Sequence, residues 1–135
     1  MNDHLQELLA YYLERATTTH QDALLLAEHE SWASCVNRLY YACFYAVTAL
    51  LERHQYDTAK HTGVRSLFNQ HFIHPGIVPA EFGDLYNQLF TRRHHSDYLE
   101  FYVPDADEIR PWLGQTQDFI HFIENLLNED FDENE

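Results

Sequence analysis

The sequence predicts an all-α protein built as a bundle around one central helix, and three observations carry that expectation. Between Trp32 and Leu51 only Ser34, Asn37, Arg38 and Thr48 are neither apolar nor aromatic. A helix apolar on almost every face is one surrounded by others. The flanking segments carry apolar residues at steps of three, four and seven, the period of helices with one buried face. No strand alternation, internal repeat or low-complexity segment interrupts them. The 135 residues fit a single domain, which at this size buries about two-thirds of its unfolded surface without staples. We place it at 1–128, with 129–135 as a disordered acidic tail, too charged to pack.

The first helix is expected from Asp3 to Glu28, with Leu5, Leu8, Leu9, Tyr12, Ala16, Ala23, Leu24 and Ala27 on its buried side. The β-branched run Thr17 to Thr19 predicts curvature or fraying near its middle. His29 and Glu30 turn the chain into the central helix, so the first two helices form an antiparallel hairpin with a very short loop. Ser31 suits the N-cap of the central helix, and Glu52, Arg53 and His54 mark its end. A shorter third helix is expected over 60–72, with Val64, Leu67, Phe68 and His71 inward. Pro75, Gly76 and Pro79 break that pattern, and Pro79 opens a fourth helix from Glu81 to about His95 with Phe82, Leu85, Leu89 and Phe90 on one face. Beyond Pro104, Asp105 and Glu108 form a capping box for a fifth helix ending near Asn128, whose inward face is Trp112, Phe119, Phe122, Ile123 and Leu126. Pro111 kinks that helix or delays its start to Arg110.

Nine Tyr, nine Phe and two Trp are many for a helical chain and predict an aromatic core in preference to exposed rings. The formal charge is −14, of which the tail supplies five units. Such a field repels phosphate backbones, so any nucleic-acid contact has to come from a local basic site, and a basic protein partner suits the surface better. Ten His would cancel much of that charge as pH falls through about 6.5. Cys35 and Cys43 sit about 12 Å apart along one helix, too far to bridge. With no secretory leader ahead of Met1, two core thiols point to a reducing cytoplasm. The charge-free run from Leu39 to Leu51 is shorter than the roughly 20 residues a bilayer needs, so no membrane span is expected.

Polar residues gather in apolar surroundings at three places. Arg38, Tyr41 and Tyr45 share a helical face, where a guanidinium and phenols can meet an anion. An Arg that satisfies helix termini or a buried carboxylate is the ordinary alternative, and the favoured one. The run 60–74 holds His71 and His74 one turn apart, which with His94 or His95 could ligate a metal, but no Cys or carboxylate completes the set, so none is expected. The only basic cluster is Thr91-Arg92-Arg93-His94-His95-Ser96-Asp97-Tyr98. It can bind a phosphate, transfer protons and orient a hydroxyl, or simply offset a helix dipole with cations.

The segments NRLYYACFYAVTALL, KHTGVRSLFNQHFIHPGIVP and LFTRRHHSDY, in this order, resemble the HEPN domain (higher eukaryotes and prokaryotes nucleotide-binding), in its small stand-alone bacterial and archaeal branch, over roughly residues 5 to 127. The resemblance implies an up-and-down four-helix bundle with an additional short helix, commonly a homodimer. Many such proteins are RNA-cleaving toxins paired with a minimal nucleotidyltransferase as antitoxin; others are non-catalytic nucleotide- or protein-binding modules and scaffolds. The family's nuclease motif is an Arg, four to six residues, then a His. Here Arg93 matches the Arg, but Asp97 and Tyr98 stand where the His would be sought, and His94 and His95 follow too closely. Arg65 and His71 match the spacing within the third helix, where His71 reads as packing. As a metal- and cofactor-independent ribonuclease, the chain would use Arg93 against phosphorane charge, His94 or His95 as base and Asp97 to orient it. As a binding module it would line an inter-helix pocket with Arg38, Tyr41, Arg92, Arg93 and Tyr98. A direct Arg38–Asp97 contact is expected if the central helix looks toward this cluster.

Overall fold

The computed structural model describes residues 3–59, 61–99 and 101–133. Five α-helices follow one another: α1 (Asp3–Glu28), α2 (Trp32–Arg53), α3 (His61–Phe68), α4 (Ala80–Tyr98) and α5 (Ala106–Glu133), with a π-helical turn, Asn69–Ile73, closing α3. No strand occurs among the described residues. The architecture is an all-α four-helix bundle of α1, α2, α4 and α5, with α3 as the additional short helix. No helix is long and apolar enough to cross a membrane among the described residues.

Helix α2 touches each of the other four. Leu39, Tyr40, Ala42, Cys43, Ala46, Val47, Ala49, Leu50 and Leu51 have no exposed surface, as its sequence requires. Burying a leucine of this kind contributes about 1.5–3 kcal/mol. The short side chains Ala42, Ala46 and Ala49 keep its width small where the neighbouring helices close on it.

The α1–α2 hairpin turns through Glu30, whose φ of 58° is left-handed. Ser31 N–H donates back to Leu26 O at 2.9 Å and Glu30 N–H to Ala27 O at 3.0 Å, which satisfies the last carbonyls of α1. Ser31 takes the N-cap position of α2, but its hydroxyl makes no capping hydrogen bond. Helix α1 runs unbroken through Thr17 to Thr19, because Thr19 and His20 are buried against the bundle and tertiary packing overrides the weak propensity. His20 Nε2 lies 2.7 Å from Leu113 O of α5.

The third helix departs from the regular one expected over 60–72. After Phe68 the backbone widens by one residue, with His74 N–H donating to Asn69 O at 2.9 Å. That keeps Phe72 in the core beside Phe68, ring centroids 6.3 Å apart. Gly76, with φ of 83°, then reverses the chain. Residue 60, taken as the helix start, lies outside the described residues.

Helix α5 also differs in two ways. Asp105 accepts from Asp107 N–H at 2.9 Å, as a cap should, but Glu108 is turned to Arg92 of α4, so the box is half formed. The helix passes through Pro111 and continues to Glu133, into the stretch expected as a tail. The core is aromatic as expected: Tyr40 stacks on Tyr86 at 5.8 Å, Phe68 meets Phe119 at 5.9 Å, and Phe82 meets Phe119 at 5.6 Å.

Burial pushes the Cys35 thiol up to about 11 from 9.0, and Cys43 higher still. In the unfolded chain both ionise near pH 9, whereas the folded chain keeps them protonated, so the unfolded state binds fewer protons above that pH. Stability should therefore hold below about pH 9 and fall as pH rises toward about 11, with a smaller fall in Cys43→Ala; urea melts across this range measure it. At neutral pH neither thiol should react with a maleimide before unfolding.

Candidate nucleic-acid interface

The last turns of α4 spread the basic cluster over three faces. On the inward face, the steps of three and four that bury Tyr86 and Leu89 continue to Arg93, Ser96 and Asp97. Arg93 lies with its guanidinium carbon 4.6 Å from the Tyr40 ring centroid and 5.6 Å from that of Tyr41. Its Nη1 donates to Tyr41 Oη at 3.3 Å and to Asp97 Oδ2 at 3.5 Å. Only 16% of its side chain is exposed. Aromatic faces attract a part-desolvated guanidinium by about 1–2 kcal/mol. Its Nε is buried without an acceptor.

Across from it on α2, Arg38 donates to Asn37 Oδ1 through Nε at 3.1 Å and Nη2 at 2.7 Å, and its guanidinium lies 5.3 Å from the Tyr41 ring. A groove of about 400 Å³ runs between the two helices, with Ser34, Asn37 and Arg38 on one wall and Ser96 and Asp97 on the other. Arg38 and Asp97 thus share a groove but not the contact expected of them. Asp97 pairs instead with Arg93, one turn away on its own helix.

On the second face, Arg92 Nε donates to Glu108 Oε1 and Nη2 to Oε2 at 3.4 Å. Arg92 therefore ties α4 to the start of α5 and stands apart from the groove. On the third, His94 packs on Tyr98 at 4.8 Å between centroids, and Tyr98 is 68% exposed. His95 meets the Tyr102 ring at 5.6 Å. Neither imidazole lines the groove. Of the residues singled out in the sequence, Arg38, Tyr41, Arg93 and Asp97 come together, while Arg92, His94, His95 and Tyr98 flank them.

Arg15, which no sequence motif marks, joins this face. Its Nη2 donates to Tyr45 Oη at 2.8 Å, with the guanidinium 4.9 Å from that ring. Residues 15 and 45 are equidistant from Glu30, where the hairpin turns, so antiparallel register alone places them together. The Tyr41–Tyr45 stripe of α2 is consequently met by Arg93 from α4 and Arg15 from α1. Arg65 and His71 diverge: Arg65 lies 3.9 Å from the Phe90 ring and His71 stacks on Tyr56 at 4.5 Å. No three His, Cys, Asp or Glu side chains gather to hold a metal among the described residues.

A profile of the HEPN domain matches residues 9–126. The chain belongs to the HEPN domain family. Among its HEPN relatives, a UPF0332 protein of Thermotoga maritima is 36% identical over 124 residues, covering 92% of this chain and 94% of the relative. A protein of Methanocaldococcus jannaschii named "Putative toxin" is 26% identical over 129 residues, 96% of each chain. A second protein of that organism with the same designation is 30% identical over 86 residues, 64% of this chain and 58% of the relative. The HEPN bundle thus brings α2 and the end of α4 together around Arg93.

The two adjacent arginines should respond differently to truncation. Arg92 and Glu108 are each about one-third exposed, so Arg92→Ala should cost at most about 1 kcal/mol. Arg93→Ala removes a guanidinium enclosed by two rings and should cost about 1–2 kcal/mol more than a solvated arginine would. Urea denaturation of both variants measures the difference.

Proposed function

We propose that this HEPN protein is toxin-like and acts on RNA, holding a phosphodiester in the groove between α2 and α4 and cleaving it without a metal ion. The observation that carries this reading is the Arg93 guanidinium, held against the Tyr40 and Tyr41 rings and paired with Asp97, whose carboxylate lines the groove across from Arg38. Arg38 has no carboxylate at ion-pair distance among the described residues, so its charge is available to an anion. In a chain of formal charge −14, a local site of this kind is what a phosphate needs. The designation "Putative toxin" of the Methanocaldococcus jannaschii relatives agrees with the toxin-like part of this reading.

In this reading the ribose 2′-hydroxyl attacks the adjacent phosphorus and the bond to the 5′-oxygen breaks, leaving a 2′,3′-cyclic phosphate and a 5′-hydroxyl. Arg93 stabilises the phosphorane charge, Asp97 holds Arg93 in place, and His94 or His95 takes the 2′-hydroxyl proton, the imidazolium so formed giving a proton to the leaving 5′-oxygen. Both imidazoles sit on other faces of α4, so this chemistry requires the RNA to cross the end of that helix, where the exposed Tyr98 ring offers a stacking surface. A homodimer sets two such grooves side by side. The apolar segment beyond α4, with Phe101 91% and Val103 83% exposed, supports that association. A minimal nucleotidyltransferase is the partner that fits this reading.

One observation favours a second reading, a non-catalytic nucleotide- or protein-binding module: no imidazole lines the groove. Incubation of the purified protein with a mixed RNA pool and a chelator, from about pH 5.5 to about pH 8, separates the two. Cleavage with cyclic-phosphate ends is expected, lost in Arg93→Ala and retained in Arg92→Ala. Cleavage indifferent to Arg93→Ala removes the nuclease assignment, and binding without cleavage establishes the module. Phe101→Asp should convert a dimer to a monomer on size exclusion.

A further inference from the structure

A second groove, of about 440 Å³, opens between α1 and α2 and meets the first at Arg38, which lines both. Its volume lies within the range of small-molecule sites. Along α1 it presents Tyr11, Glu14, Arg15, Thr18 and Asp22. These recur at helical steps over about 16 Å of one face, roughly the reach of a nucleotide with its neighbouring phosphate. Tyr11 is 54% exposed, its ring uncovered on the solvent side.

The charges in this groove are mixed and unpaired. Neither Arg15 nor Arg38 forms an ion pair with Glu14 or Asp22 among the described residues. Arg15 is held by the Tyr45 hydroxyl and Arg38 by Asn37. Arg15 adjoins Glu14 and, by the same hairpin register, Arg38 lies opposite Asp22, so each end of the groove sets a cation beside a carboxylate and suits a ligand that carries both an anion and hydrogen-bond donors. A simple anion leaves the carboxylates unused and repelled.

We propose that the α1–α2 groove is a guanine-selective nucleotide subsite, continuous with the α2–α4 groove and resting on the reading of that groove as the phosphodiester site. Of the four RNA bases only guanine offers two adjacent donors, N1–H and the exocyclic amino group, that a single carboxylate accepts together. Glu14, one turn from Tyr11, supplies that carboxylate while the base stacks on the Tyr11 ring. Asp22 accepts from the ribose hydroxyls. Arg38, which lines both grooves, takes the phosphate and leads the strand into the α2–α4 groove, while Arg15, held by Tyr45, flanks the base.

Calorimetry of the full chain with guanosine, adenosine, cytidine and uridine 5′-monophosphates and with inorganic phosphate tests the subsite. The guanine nucleotide should bind at least about tenfold more tightly than the adenine nucleotide. Glu14→Gln should bring it to the adenine level, Arg15→Gln should weaken all four, and Arg93→Ala should leave the guanine preference unchanged. Thermal melts of each variant separate lost binding from lost fold. Equal affinity for the four nucleotides, or a guanine preference that survives Glu14→Gln, overturns the proposal. RNA cleavage that depends on Arg93 but shows no guanine preference sinks the subsite alone. Guanine binding lost in Glu14→Gln while RNA stays intact sinks the nuclease reading alone.

Discussion

A helix apolar on nearly every face is stable in water only when other elements enclose it, and in this chain α2 imposes that demand on everything else. Helix α1 folds back on it through a minimal turn, α4 and α5 close the remaining sides, and α3 covers its C-terminal end. The enclosure leaves one strip partly open: Asn37, Arg38, Tyr41 and Tyr45, where α1 and α4 part. The candidate site occupies that strip. The core helix and the functional face are therefore two sides of one element, and the rigidity of the packed side fixes the geometry of the open one.

Electrostatics give the strip its character. The chain has 22 acidic residues and 8 lysines and arginines, so every arginine had carboxylates to choose from. Arg15 instead lies on Tyr45, and Arg38 takes Asn37 and the Tyr41 ring. Arg93 lies between Tyr40 and Tyr41 with Asp97 at the long distance of 3.5 Å. Phenol hydroxyls and ring faces hold a guanidinium in position without cancelling its charge. A carboxylate in the same role, as Glu108 is for Arg92, neutralises it. Arg15 and Arg38 thus keep their charges uncancelled on an acidic molecule.

The helical boundaries were legible because apolar periodicity marks α1, an almost wholly apolar run of helical length marks α2, and the Pro and Gly residues between α3 and α4 leave few alternatives. The π-helical turn was not, since one extra residue in a hydrogen-bond ladder changes no composition and no apolar spacing. The end of α5 was missed for a related reason: Glu129 to Glu133 lacks an apolar stripe, yet a helix already packed propagates at little cost through good helix formers. For the site, helix phase and chain order were enough to place Tyr41 near Arg93. They could not assign pairings among long side chains, so the partners of Asp97 and Glu108 are set only by the packed fold. Arg15 was available from hairpin register but carried no motif to draw attention to it.

The three-residue turn at Glu30 also orders events in time. Contacts between α1 and α2 join segments near in sequence, so their closure is fast and needs no other part of the chain. During synthesis this hairpin emerges before α4 and α5 exist. It then carries the Tyr40 ring, which Tyr86 and Phe90 of α4 later cover, without those partners. The nascent chain thus passes through a stage with a broad greasy surface in water. In that interval chaperones, or the same hairpin on a neighbouring ribosome, compete for α2 with its own C-terminal helices.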